Sequence, residues 1–176
     1  VNEKFKFVSL LNVCAEKRDL VEGVRLHNDI TRRFLSLEKS PYLVSALISM
    51  YMKCGAVAKA RQVFEELPVQ HLASWNALLA GYVKQGQCHH VVDCFQRIQG
   101  ESLAPDKVTF ICILKACGSI GAGDKGKYFH EEIVDRGFLN QSVALGNALI
   151  DMYVKCGMLP EAQDVLEGLP VRDVIS

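Results

Sequence analysis

Three groups of residues have the types and spacing of reactive chemistry. His130-Glu131-Glu132 has the H-x-E order in which a histidine ligates zinc and a carboxylate moves protons, as in zinc deaminases. The P-C-x-x-C half of that signature is absent. The histidine also recurs 103 residues earlier as His27, where Asn28 and Asp29 follow it. A histidine held at one place in a repeat reads as a packing or hairpin residue. Cys88-His89-His90 with Cys94 supplies soft metal ligands close together, but no second cluster completes a zinc pattern. It reads as a partly exposed stretch of helix. Asn140-Gln141-Ser142 fits a glycosylation sequon, idle without a secretory context. No phosphate-cradling glycine loop and no Ser/His/Asp constellation appears. No enzyme activity, metal or cofactor is therefore expected of this segment. What does recur is a lysine two residues before a glycine: Lys53, Lys84 and Lys155.

Those lysines lie in copies of one pattern: ALISMYMKCG from Ala46, ALLAGYVKQG from Ala77 and ALIDMYVKCG from Ala148. Leu47, Tyr51 and Cys54 fall on one face of a 3.6-period helix, as do Leu78 and Tyr82, and Leu149, Tyr153 and Cys156. The closing glycine supplies a left-handed stop. Further identities recur at a shift of 103: Lys4/Lys107, Phe7/Phe110, Leu11/Leu114, Cys14/Cys117, Gly23/Gly126, His27/His130, Ile30/Ile133 and Arg33/Arg136. Their spacing predicts two helices, with Gly118 to Gly126 as the turn in the second copy. Ala60, Val63, Phe64 and Leu67 form a second-helix stripe stopped by Pro68; Ala162, Val165, Leu166 and Leu169 repeat it before Pro170. Pro160 sits in the favourable first turn of its helix. Trp75 reads as a core residue. No segment alternates with period two. The expectation is an all-α, right-handed α-solenoid of five helix-turn-helix hairpins over 4–40, 41–71, 72–106, 107–142 and 143–173, forming one domain.

The composition agrees. Of 176 residues, 49% are hydrophobic and 23% charged, and Lys+Arg and Asp+Glu both total 20. Zero net charge argues against a strong non-specific polyanion binder, so any nucleic-acid binding must come from local placement of cations. No apolar run approaches the ~20 residues needed to cross a bilayer, so no membrane partner is expected. The seven cysteines are odd in number and mostly recur on apolar faces, which suits buried thiols in a reducing compartment. The start at Val1 and the stop at Ser176 in mid-pattern suggest a piece of a longer array whose targeting segment lies elsewhere.

The repeat lengths of 37, 31, 35, 36 and 31 residues depart from the constant 34 of tetratricopeptide arrays. This holds even though Trp75, Leu78, Tyr82 and Phe95 stand where such a repeat would place them. The lengths and local sequences instead resemble the pentatricopeptide repeat family, in its plant-type PLS subclass. Ser74 to Asp106 is similar to its P motif, Val108 to Phe138 to its long L motif, and Asn147 to Asp173 to its short S motif. The order is L, S, P, L, S, with 174–176 opening a next repeat.

The resemblance implies modular binding of single-stranded RNA, one base per repeat. The fifth and last residues of each repeat would choose the base: Val8/Ser40, Ser45/His71, Asn76/Asp106, Ile111/Ser142 and Asn147/Asp173. An asparagine amide complements the uracil edge, and an aspartate can hold its orientation. Asn76/Asp106 and Asn147/Asp173 therefore predict uracil, with cytosine second. Val8 and Ile111 cannot hydrogen-bond a base, and Ser45/His71 matches no assigned base. The second residues, Phe5, Tyr42, Ala73, Val108 and Ala144, would flank bases. Lys53, Lys84 and Lys155, thirteenth in their repeats, would face phosphates, while Glu16 and Ser119 remove that contact from the L repeats. A mitochondrial or chloroplast RNA-processing or C-to-U editing factor is the implied setting, with small editing helper proteins as further partners. The alternative is a scaffold for a protein or peptide. Either way, end-to-end self-association through uncapped ends is expected.

Overall fold

The computed structural model describes residues 3–33 and 40–169. Among these, ten α-helices and one short 3-10 turn are present and no strand. Each expected repeat carries one helix pair: α1 Glu3–Lys17 and α2 Leu20–Arg33; α3 Pro41–Lys53 and α4 Val57–Glu65; α5 Leu72–Lys84 and α6 Cys88–Gly100; α7 Lys107–Ile120 and α8 Gly123–Asp135; α9 Val143–Lys155 and α10 Leu159–Gly168. Among the described residues no helix is long and apolar enough to cross a membrane.

Contacts group the chain into two compact modules, Val1–Gln87 with Glu101–Leu103, and Cys88–Gly100 with Ala104–Ser176. In the first, α3 lies between α1 and α5, with α2 and α4 packed on it. Leu11, Ile30, Leu43, Leu47, Ile48, Met50 and Phe64 are wholly buried there. Trp75 is also wholly buried; its ring meets Phe64 edge-on at 4.4 Å, and its Nε1 donates to Glu101 Oε2 at 3.1 Å. Stacking and a satisfied indole N–H make it the core residue the sequence suggests. In the second module α7 packs on α9, α6 and α8, and α9 on α10. Phe95 meets Phe129 edge-on at 4.8 Å.

The first two helix pairs, α1–α4, and the last two, α7–α10, repeat one seam. His27 Nδ1 and the Tyr51 hydroxyl share a hydrogen bond of 2.8 Å, and His130 Nδ1 and the Tyr153 hydroxyl one of 2.9 Å. The H-x-E histidine is thus a clasp between helices. Gly23 and Gly126 admit the thioethers of Met50 and Met152: a Cβ would meet their sulfurs at 2.4 and 2.3 Å.

Two sequence expectations need correction. Gly118 to Gly126 is not a turn: α7 runs through Gly118 to Ile120 and α8 starts at Gly123, leaving Gly121 and Ala122 as the connection. Gly118 is instead a buried helical glycine, whose absent Cβ would lie 3.1 Å from the Met152 Cα. Leu166, assigned to the apolar stripe of α10, is 61% exposed, whereas Ala162 and Val165 are buried.

Candidate nucleic-acid interface

The fifth residues lie in the first helix of each pair: Val8 in α1, Ser45 in α3, Asn76 in α5, Ile111 in α7 and Asn147 in α9. Asn76 and Asn147 stand a full turn inside helices whose N-caps are His71 and Ser142. They are therefore not capping residues, although asparagine near a helix start suggests that role. Side chains one turn into a helix project sideways from a fixed backbone, a placement suited to reading a ligand. Asn147 is exposed, while Val8, Ser45, Asn76 and Ile111 are half-buried. The Ser45 hydroxyl donates to the Tyr42 carbonyl of its own helix at 3.0 Å, so its proton is already engaged.

The last residue of each described repeat has a second duty. Ser40, His71, Asp106 and Ser142 are the N-caps of α3, α5, α7 and α9. Asp106 makes a full capping box: its Oδ1 accepts from the Thr109 N–H at 2.9 Å, and its own N–H donates to Thr109 Oγ1 at 3.2 Å. Ser142 Oγ accepts from the Leu145 N–H at 3.3 Å. Ser40 and His71 cap through the backbone alone. Asp173 lies outside the described residues.

Among the second residues, Phe5 is 63% and Tyr42 74% exposed, large apolar rings that the core leaves in solvent. Val108 is 49% exposed, Ala144 is exposed and Ala73 half-buried. Flat exposed aromatics are the surfaces on which bases stack, and the small residues offer much less.

The lysines differ in their engagement. Lys155 Nζ is held by Asp151 Oδ2 at 2.7 Å, one helical turn back. Lys53 and Lys84 make no ion pair among the described residues. They line an open cleft of ≈ 260 Å³ with Ala15, Glu16, Arg18 and Gln85, all within the first module. Gln85 Nε2 donates to the Met52 carbonyl at 2.8 Å and so ties the end of α5 to the end of α3. Sequence reasoning missed Arg18. Its signal was readable: Arg18 falls where the other repeats carry Gly55, Gly86, Gly121 and Gly157.

The reactive candidates disperse. Cys88 and Cys94 are buried on α6 while His89 and His90 are exposed, so these side chains point to opposite sides of the helix. Burial pushes the Cys112 and Cys117 thiols up to about 11, and Cys14, Cys54 and Cys156 are raised too, which keeps them protonated. Burial likewise lowers both His27 and His130, so the clasps hold neutral imidazoles at pH 7.

The family described as "PPR repeat family" matches residues 70–119, and the one described as "PPR repeat" matches 42–70 and 147–174. An Arabidopsis thaliana pentatricopeptide repeat-containing protein is 34% identical over the whole chain, and a second, chloroplastic one is 30% identical over 98% of it. The chain spans about a quarter of the length of these relatives, 25% of the first and 28% of the second. Among solved structures, maize PPR10 in complex with an 18-nt psaJ RNA element superposes with a TM-score of 0.70 at 19% identity, over 93% of this chain and 25% of that one. The PPR domain of Arabidopsis thaliana protein-only RNase P 1, in complex with tRNA, superposes with a TM-score of 0.67 at 17% identity, over 96% and 90%. These likenesses establish the α-solenoid repeat fold. Helix pairs of matching length, a seam repeated along the chain and the family matches lead to one conclusion: the chain belongs to the pentatricopeptide repeat family.

Proposed function

We propose that the chain binds single-stranded RNA, one base per repeat, as part of a larger organellar RNA-processing or C-to-U editing factor of the PLS subclass. The observation that carries this reading is the contrast within each first helix. Its buried face is constant, Leu47 and Tyr51 against Leu149 and Tyr153, while the fifth residue changes from Ser45 to Asn147 at an accessible place. A frame that repeats and a side chain that varies are the ingredients of base-by-base reading. Relatives of known structure were solved on RNA, and relatives in sequence carry mitochondrial and chloroplastic names.

In chain order the repeats read any, unassigned, U, any, U. Asp106 caps α7 through its Oδ1 and would also orient the base-reading amide of its own repeat. With no net charge, affinity is modest and falls steeply with salt. Small helper proteins and end-to-end association fit apolar side chains left in solvent on the last pair, Val154 at 51% and Leu166 at 61%.

The test is binding of labelled RNA oligonucleotides at low and moderate salt, with base changes opposite Asn76. Uracil is expected to bind best, and Asn76→Thr to shift preference toward guanine. Indifference to that base, or no binding at low salt, would overturn the reading.

A further inference from the structure

We propose that Arg18 completes a seat for one backbone phosphate at the C-terminal ends of α1, α3 and α5, replacing the lysine that the first repeat lacks. The inference rests on the single-stranded RNA reading above. At the connection between its two helices each repeat needs one residue in the left-handed region. Four of them use glycine there: Gly55, Gly86, Gly121 and Gly157, with φ of 77°, 71°, 67° and 73°. The first repeat holds the same bend with Arg18, at φ 54°. A Cβ is unfavourable in that region and glycine is not. Local structure thus asks for glycine, and the arginine persists against backbone strain. A side chain kept at a strained position points to work done by that side chain.

Its surroundings say what work. Arg18 shares the ≈ 260 Å³ cleft with Lys53 and Lys84. Among the described residues none of the three forms an ion pair. A planar guanidinium beside two ammonium groups fits the oxygens of a phosphodiester, which the guanidinium can grip bidentately. The Gln85 amide, donating to the Met52 carbonyl at 2.8 Å, fixes the spacing of the two helix ends that bear the lysines. Glu16 stands in the lining as the one opposing charge. In the second L repeat the corresponding positions are Ser119 and Gly121, so that repeat has neither the cation nor the opposing carboxylate.

The competing role is a counter-charge to the negative helix ends, and one substitution separates the two. Arg18→Gly installs the residue that four other repeats use, so the fold survives it. A labelled decauridylate strand is titrated against the wild type, Arg18→Gly, Arg18→Lys and Glu16→Gln across a salt series, with melting followed in inorganic pyrophosphate. A phosphate seat predicts that Arg18→Gly melts no lower than the wild type. It should bind RNA about 3–10-fold more weakly at low salt, and its log K against log salt slope should be shallower by about 0.7, one phosphate contact on a single strand. Arg18→Lys keeps most of the affinity, and Glu16→Gln binds more tightly. An unchanged slope in Arg18→Gly, or lower melting with unchanged RNA binding, overturns the seat and leaves the RNA reading standing. A wild type that ignores RNA sinks that reading. The seat then stands only if pyrophosphate raises melting in the wild type and not in Arg18→Gly; equal response in both overturns it.

Discussion

Helices α1–α4 and α7–α10 bury the same contacts and expose different ones. Inside, His27–Tyr51 answers His130–Tyr153, Gly23–Met50 answers Gly126–Met152, and Cys54 beside Met50 answers Cys156 beside Met152. Outside, Phe5 and Tyr42 become Val108 and Ala144, Ser45 becomes Asn147, and Arg18 becomes Gly121. Lys53, without an ion pair among the described residues, becomes Lys155 held by Asp151. The seam is constant because every hairpin must bury the same face against its neighbour. The surface is free to specialise, and on the proposed RNA reading the two pairs would divide the labour: the first would stack bases and grip the backbone, and the second would carry the asparagine that reads one.

The largest effects come from forcing the second pair to copy the first in its core. Gly118 corresponds to Ala15, which is buried at 3% exposure. The Met152 backbone at 3.1 Å leaves less room at Gly118. Gly118→Val should cost about 3 kcal/mol and Gly118→Ala about 1 kcal/mol in urea unfolding, as overpacking against backbone does. No loss of stability in either variant would show that the second seam has as much room at Gly118 as the first has at Ala15.

Exchanging the flanking residues comes next. Tyr42→Ala should weaken RNA binding by about 1–3 kcal/mol, and Ala144→Tyr should recover a comparable gain if the second pair offers the same stacking place. Fluorescence anisotropy with one labelled strand measures both.

The clasps should respond alike. Tyr51→Phe and Tyr153→Phe each remove one hydrogen bond from a half-buried imidazole and should cost about 1 kcal/mol apiece. Both histidines are held by burial below their ordinary 6.5. The unfolded chain therefore binds protons first as pH falls, so stability drops through about pH 6.5 and levels off below the lowered native values. Thermal melts at pH 7.5 and 5.5 should show this, and the drop should shrink in His27→Gln and His130→Gln.

The smallest effect concerns Lys155. Asp151→Ser, which copies Ser49 of the first pair, releases an exposed ion pair of small intrinsic worth. RNA affinity should rise about 2–3-fold at low salt, with little change in melting.

Much of this was legible in the sequence, and the failures have physical causes. Helical period and repeat shift place every hairpin, and a histidine recurring at one place in a repeat already suggests packing, though not its tyrosine partner. Gly118 to Gly126 reads as a turn because glycine has two uses that composition cannot separate, bending a chain and letting helices touch. The Asp151–Lys155 spacing of four was visible, and the ion pair that engages this lysine follows from helix geometry. Leu166 fails because its place in an apolar stripe does not say whether a neighbour covers it. Arg18 is hidden in a repeat pattern because it is the one departure from glycine at its position, and identities between copies do not mark it.

The central claim is that the fifth residue reads the base, and helices α7–α10 test it most directly because Ile111 and Asn147 sit in neighbouring helices, α7 and α9. The measurement is the affinity of strands differing only opposite these two residues. Replacing uracil by adenine opposite Asn147 should weaken binding up to about 10-fold, as loss of a hydrogen-bonded match does, while the same change opposite Ile111 should leave it unaltered. Equal loss at both places, or none at either, would contradict the account.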